Sequence, residues 1–244
     1  MQKNQRMLIQ QFVDRLDQVI SHYDLLRHPF YQAWSFGELT AQDIAEYSRD
    51  YYHHVEAFPR ALVQFARRLP NTELRAVVLA NLAEEMGPRP LDSHASLWLD
   101  FAEGFGVTRP IQTRPSAAVK ELIIFFEAMA REGTPEEVLA ALYAYESQVP
   151  RISTEKLRSL REFYGADDRA CQYFLVHITA DVAHAQSWRT QLKKCIESDS
   201  RHASRSLSAA TMAASALWEA LDGIENARLT RKMASPGCPQ LSTA

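Results

Sequence analysis

Two histidines and an aspartate stand at His177, Asp181 and His184, within the run His177-Ile-Thr-Ala-Asp181-Val-Ala-His184. On a helix turning about 100° per residue, positions i, i+4 and i+7 share one narrow stripe, so two imidazoles and a carboxylate converge. Mixed nitrogen and carboxylate donors suit redox-active first-row metals such as iron or manganese. One helix rarely completes such a site. Carboxylate-rich dinuclear sites in helical bundles draw inward-facing Glu and His from several helices. The candidates for those further ligands are Glu84 or Glu85, His94 and Glu146. Glu146 is the strongest of them, because Ala141-Leu142-Tyr143-Ala144-Tyr145 before it are apolar or aromatic. A lone carboxylate there costs several kcal/mol of desolvation unless a metal or another cation compensates it. The set totals three carboxylates and three imidazoles, and the three carboxylates would nearly neutralise two divalent metal ions, as a buried site requires.

Each element taken singly has a plainer reading. A single histidine is more often a satisfied core or surface residue than a ligand, and Asp181 with His184 would make a hydrogen-bonded pair. Glu84 and Glu85 fit a solvated helix end, which for Glu85 is the preferred assignment. Tyr47, Tyr51, Tyr52, His53 and His54 read first as core aromatics at helical spacing and only second as a pocket lining. His28-Pro29-Phe30-Tyr31 reads as the packing of a short segment, and Lys156 as a surface lysine. The coincidence of the helical stripe with a carboxylate stranded among aromatics favours metal binding.

The composition bounds the partners. The chain has 244 residues, of which 46% are hydrophobic and 23% charged, with a net charge of −3. That is the profile of an ordinary globular protein and argues against a nucleic-acid partner. No stretch approaches the roughly 18–20 apolar residues of a membrane span. The start, MQKNQRMLIQQFVDRLDQ, turns polar too early for a secretory signal. Cys171, Cys195 and Cys238 are odd in number without CxxC spacing, which places the expected home in a reducing cytoplasm with free thiols.

The elements that must position these residues are helices. Only 8 glycines occur, and Ala, Leu, Glu, Gln and Arg are abundant. Leu8, Phe12, Leu16, Val19 and Ile20 form a helical stripe that ends near Asp24. A short segment from His28 to Ser35 follows. Thr40 and Asp43 read as a capping box opening a helix to about Arg68, with a kink expected at Pro59. Further helices are expected from Asn71 or Thr72 through Glu85, from Ser93 to Glu103 and from Ser116 to Arg131. Thr134-Pro135-Glu136-Glu137 starts another, through Glu146. Pro150 is read as a break, followed by helices over Ser153–Tyr164, Asp167–Ser198 and Ala203–Lys232. Together they predict one all-α domain over residues 1–232, a bundle of seven or eight helices, with a disordered tail at 233–244.

Several strings then carry a resemblance: His28-Pro-Phe-Tyr31, Trp34-Ser-x-Gly-Glu-Leu-Thr40, Asp50-Tyr-Tyr52, Ala57-Phe-Pro59, Leu142-Tyr-x-Tyr-Glu-Ser-Gln-x-Pro-Arg-Ile152 and His177-x3-Asp-x2-His184. Over roughly residues 8–230 the chain resembles the family of the chlamydial protein associating with death domains and its bacterial relatives. These are haem-oxygenase-like dimetal oxidases, close to the TenA/PqqC-like folds. The resemblance implies a seven-helix bundle and O2-dependent synthesis of para-aminobenzoate for folate. In that chemistry the protein's own tyrosine is consumed, its side chain leaving by Cα–Cβ cleavage to leave glycine.

By position, Glu84, His94, Glu146, His177, Asp181 and His184 match the metal ligands. Tyr31 matches the sacrificed tyrosine, Lys156 a lysine implicated in the amination, and Tyr47 and Tyr145 aromatics that relay an oxidising equivalent. The stretch from Glu84 to His94 is a few residues longer than in those relatives, so Asp92 stands as an alternative to His94. The implied cofactors are a diiron or iron–manganese pair, with O2 and an unidentified external reductant, and the expected assembly is a homodimer. Two other readings compete: a dimetal oxidase of an external small molecule, with Tyr31 only a pocket wall, and a death-domain-type interaction protein, for which no binding motif is evident.

Overall fold

The computed structural model describes residues 2–234. It is all helical, with no strand among the described residues. The helices are α1 (Gln2–His22), α2 (Pro29–Ser35), α3 (Ala41–Arg68), α4 (Glu73–Met86), α5 (His94–Gly104), α6 (Ala117–Glu132), α7 (Pro135–Glu146), α8 (Val149–Phe163), α9 (Asp168–Ser198) and α10 (Ala203–Ala234). These ten helices follow, in order, the ten segments read from the sequence, short α2 included.

The capping signals behave as their chemistry demands. Thr40 and Asp43 form the reciprocal box at α3, and at α7 the Glu137 carboxylate accepts from Thr134 N at 2.8 Å. Pro59 lies inside an uninterrupted α3. Pro150 does not break the chain before Ser153. It lies in the first turn of α8, where a missing N–H costs nothing because that donor has no helical acceptor. Gln148 secures the junction, accepting from Leu25 N at 3.0 Å and donating to the Ala144 carbonyl at 3.2 Å. The residues expected as a tail divide: 233 and 234 complete α10, and 235–244 lie outside the described residues.

One contiguous apolar cluster takes residues from all ten helices, α4 contributing Val78. Helix α10 packs on α7 and α6, α3 on α6, and α9 on α5, α7 and α8. The close approach of α10 to α6 depends on small residues: a Cβ on Gly223 would lie 2.3 Å from the Ala118 methyl. Among the described residues no helix is long and apolar enough to cross a membrane.

Candidate metal centre

The stripe on α9 points inward, with His177, Asp181 and His184 all buried. Three other helix ends converge on it: the C-terminal turn of α4, the first residue of α5 and the last residue of α7. Two groups of buried donors result. Glu85, His94 and His177 form one, and Glu146, Asp181 and His184 form the other, with the donor atoms of each within 4.8 Å of one another. The rings of His94 and His177 are 4.3 Å apart. His184 Nδ1 lies 3.1 Å from Asp181 Oδ1 and 3.6 Å from Glu146 Oε2. A cavity of about 10 Å³ is lined by Glu85, Tyr145, Glu146, Tyr173, His177 and Asp181.

The atoms left without partners fit metal ions. His94 Nδ1 is 2.9 Å from Glu85 Oε2 but in no hydrogen-bonding geometry, so two donors face a common point. Glu146 Oε2 accepts from Trp188 Nε1 at 2.7 Å, while its buried Oε1 has no partner. His177 Nδ1 sits 2.7 Å from the Tyr173 carbonyl. A carbonyl only accepts, so Nδ1 carries the proton and Nε2 presents its lone pair, the usual arrangement of a ligating histidine.

The electrostatics point the same way. Burial, then the nearby Asp181 charge, hold the Glu146 carboxyl well above the usual range. Burial lowers His177 to about 4, leaving it neutral near pH 7. Burial opposes charge on His184 as well, but Asp181, Glu146 and Glu84 outweigh it and raise it to about 9. His94 is also raised despite its burial, through Glu85 and Asp181. Carboxylates this close require positive charge, which protonated imidazoles supply in part and divalent cations would supply in full.

Glu84 and Glu85 are distributed differently from expectation. Glu85, assigned to a solvated helix end, has a side chain only 7% exposed against His94, whereas that of Glu84 is 57% exposed. Adjacent helical residues point about 100° apart, and the rotation of α4 against its neighbours turns Glu85 inward. Glu84 still reaches the centre from outside, 2.9 Å from His184 Nε2. The longer loop is taken up by Gly87 at φ 66° and a 3₁₀ turn over Pro90–Asp92, which brings His94 into the first group. Asp92 instead pairs with Arg89, at 2.6 Å.

Lys156 is no surface residue. Buried on α8, its Nζ donates to Tyr31 Oη at 3.0 Å and Tyr47 Oη at 2.6 Å, and the two phenols lie 3.2 Å apart. Burial pushes its amine well below the ordinary value and the Tyr31 phenol above its own. Rings connect this chamber to the donors: Tyr173 stacks on His177 at 4.0 Å, Trp98 meets Tyr173 at 4.7 Å, and Tyr47 lies 5.7 Å from Trp98. Tyr145 lines the cavity at the donors and packs on His54 and Phe58. Sequence reasoning did not single out Trp98 or Tyr173. Tyr173 was within reach of it, standing one turn before His177 on the same stripe. Tyr31 owes its place to His28, which caps α2 by accepting from Phe30 N at 3.1 Å and donates from Nε2 to Asp222 at 3.0 Å.

The model of a family described as iron-containing redox enzymes matches residues 45–219. The 4-aminobenzoate synthase of Chlamydia trachomatis is 37% identical over 191 residues, covering 77% of this chain and 82% of that protein. The 4-aminobenzoate synthase of Nitrosomonas europaea is 34% identical over 226 residues, covering 87% and 90%. A Shewanella denitrificans domain with a heme oxygenase-like fold superposes with a TM-score of 0.74 at 16% identity, covering 97% of this chain and 98% of that one. A CADD-like protein of unknown function from Nostoc punctiforme gives 0.70 at 21% identity, covering 89% and 99%. The structural likenesses establish a haem-oxygenase-like fold.

Proposed function

The chain belongs to the iron-containing redox enzyme family and is an oxidoreductase, and we propose that it makes 4-aminobenzoate from its own Tyr31. In this reading Glu85, His94 and His177 hold one metal ion, and Glu146, Asp181 and His184 hold a second. A pair of redox-active ions, diiron or iron–manganese, would supply O2 activation when bound, with electrons from an external reductant. Glu84 takes the outer role, accepting Nε2–H of His184 so that Nδ1 faces Asp181 and Glu146. The ring contacts through Tyr173, Trp98 and Tyr47 make a path by which an oxidising equivalent reaches Tyr31. Tyr31 would then lose its side chain at Cα–Cβ, with Cα taking a hydrogen to leave glycine and Cβ oxidised at the expense of O2 to the carboxylate of the product.

The observation that carries the proposal is the meeting of Lys156 Nζ and Tyr31 Oη at 3.0 Å in a fully buried chamber. A neutral amine keeps the lone pair that a nitrogen donor needs, and burial favours the neutral form. The size of the cavity at the donors also supports a substrate within the chain. At about 10 Å³ it admits a water-sized molecule. Pockets for external aromatic ligands run to roughly 300 Å³ and above.

The test is isotopic. Protein grown with ring-labelled tyrosine, then given Fe(II), reductant and O2, should release labelled 4-aminobenzoate, at most one per chain. A peptide spanning Leu26 to Trp34 should then carry glycine at position 31. Unlabelled product, or undiminished product from Tyr31→Phe, would return the site to an oxidase of an external molecule.

A further inference from the structure

The donors are buried, and the exposed carboxylate of Glu84 stands at their outer edge, 2.9 Å from His184 Nε2. A charged edge suits metal ions and protons. Dioxygen is apolar and partitions into dry, hydrocarbon-lined space. One such space lies close by. Between α3, α6 and α7 is a second cavity of about 10 Å³, lined only by apolar side chains, including Leu62, Phe65, Phe126, Met129, Ala141 and Leu142. It offers a water molecule no polar partner, and a water needs two or more.

Its position continues in both directions. Outward, Met129 is the half-buried member of the lining and also borders a surface groove of about 440 Å³ between α6 and α10. Inward, the Phe126 ring meets Phe58 at 6.2 Å, His54 at 5.6 Å and Tyr145 at 5.7 Å. Phe58 and Tyr145 in turn line the cavity at the metal donors. His54 is neutral, and neither of its ring nitrogens has a protein partner, so no charge stands on this path. The walls between the three spaces are side chains, which change rotamer in picoseconds to nanoseconds where packing allows.

We propose that the apolar cavity between α3, α6 and α7 is a binding site for dioxygen on its way from the Met129 side to the two donor groups. The proposal rests on the O2-dependent reading above, and its test has an arm that does not depend on turnover. Metal-free protein with labelled leucine methyls is compared by NMR under O2 and under N2. Paramagnetic relaxation by O2 should be several-fold greater at Leu62 and Leu142 than at Leu16, a fully buried control on α1. Equal relaxation at all three overturns the proposal, whatever the loaded enzyme does.

The second arm measures the O2-concentration dependence of the first absorbance change in Fe(II)-loaded protein. Ala141→Val, which fills the cavity, should slow it about tenfold, equivalent to ~1.4 kcal/mol on the access barrier, with metal content unchanged. Met129→Ala, which thins the outer wall, should accelerate it and serves if Ala141→Val does not fold. Rates unchanged in the folded variants would remove the cavity from the route and overturn the proposal. Relaxed Leu62 and Leu142 methyls in a protein whose loaded form ignores O2 would instead support the gas site and sink the oxygenase reading.

Discussion

Replacing Lys156 by methionine should stabilise the metal-free protein, and by an amount that depends on pH. The Lys156 amine has no carboxylate beside it; its polar partners are the Tyr31 and Tyr47 hydroxyls. The rings of Tyr31, Trp34, Tyr47 and Phe174 lie 4.2, 4.9, 4.5 and 5.7 Å from Nζ and favour an ammonium, each by about 0.5–2 kcal/mol. Desolvating a charge costs several kcal/mol, and no counter-ion returns it. Desolvation wins, and the folded-state amine stays neutral well below its ordinary value of 10.5.

In the window between the lowered folded value and 10.5, the unfolded chain binds one proton more than the folded one. Stability contributed at this site therefore rises with pH, by about 1.4 kcal/mol per unit. Lys156→Met removes the titration. Its advantage over the natural chain should grow by ~2.7 kcal/mol from pH 9 to pH 7 while the amine remains neutral. The two lost hydrogen bonds, worth roughly 1 kcal/mol each, offset this by a constant. Urea unfolding of both proteins at pH 7, 8 and 9 reads the difference directly. A difference that does not change with pH would mean that Lys156 keeps its proton, and a permanently protonated amine cannot serve as the nitrogen donor.

Further expectations concern the metal donors and their supports. Glu85→Gln should bind about half the iron of the unmodified protein after anaerobic loading, while Glu84→Gln keeps the stoichiometry with roughly 10–100-fold weaker affinity. Metal titration distinguishes the two, and equal losses would refute the distinct roles assigned to them. Gly87→Ala forces a side chain onto φ 66° and within 2.6 Å of the Asp92 backbone. It should cost more than ~1 kcal/mol in thermal unfolding and weaken binding at the His94 group; an unchanged melting temperature would contradict the turn. His54 falls from 6.5 to about 3 on burial, so stability should drop by roughly 1.4 kcal/mol per unit as pH falls from 6.5 toward that value. His54→Phe should remove that part of the acid sensitivity, and an identical acid profile would mean that His54 finds a partner in solution.

Local physics made part of this molecule legible from its residue order. The stripe His177, Asp181 and His184 follows from helical periodicity alone, and the starts at Thr40 and Thr134 follow from which backbone donors a side chain can reach. Glu146 stood out because a carboxylate among alanines and tyrosines is unfavourable without compensation. Resemblance of short strings to known proteins added Tyr31 and Lys156, whose types carry no such signal.

What remained depended on how helices rotate and stack. Glu84 and Glu85 are equivalent in sequence terms, since both end an apolar run. Packing of α4 against α3, α5 and α9 decides which of two directions about 100° apart faces inward. Pro150 is compatible with a break or with a first helical turn, and the Gln148 bonds to Leu25 and Ala144 settle it, the former from 123 residues away. Lys156 lies on a helix whose charged neighbours Glu155 and Arg158 suggest solvent, yet it faces α2 and α3. A buried lysine and a surface lysine have the same local pattern. The difference is the dielectric of what packs above them, and that exists only once distant segments meet.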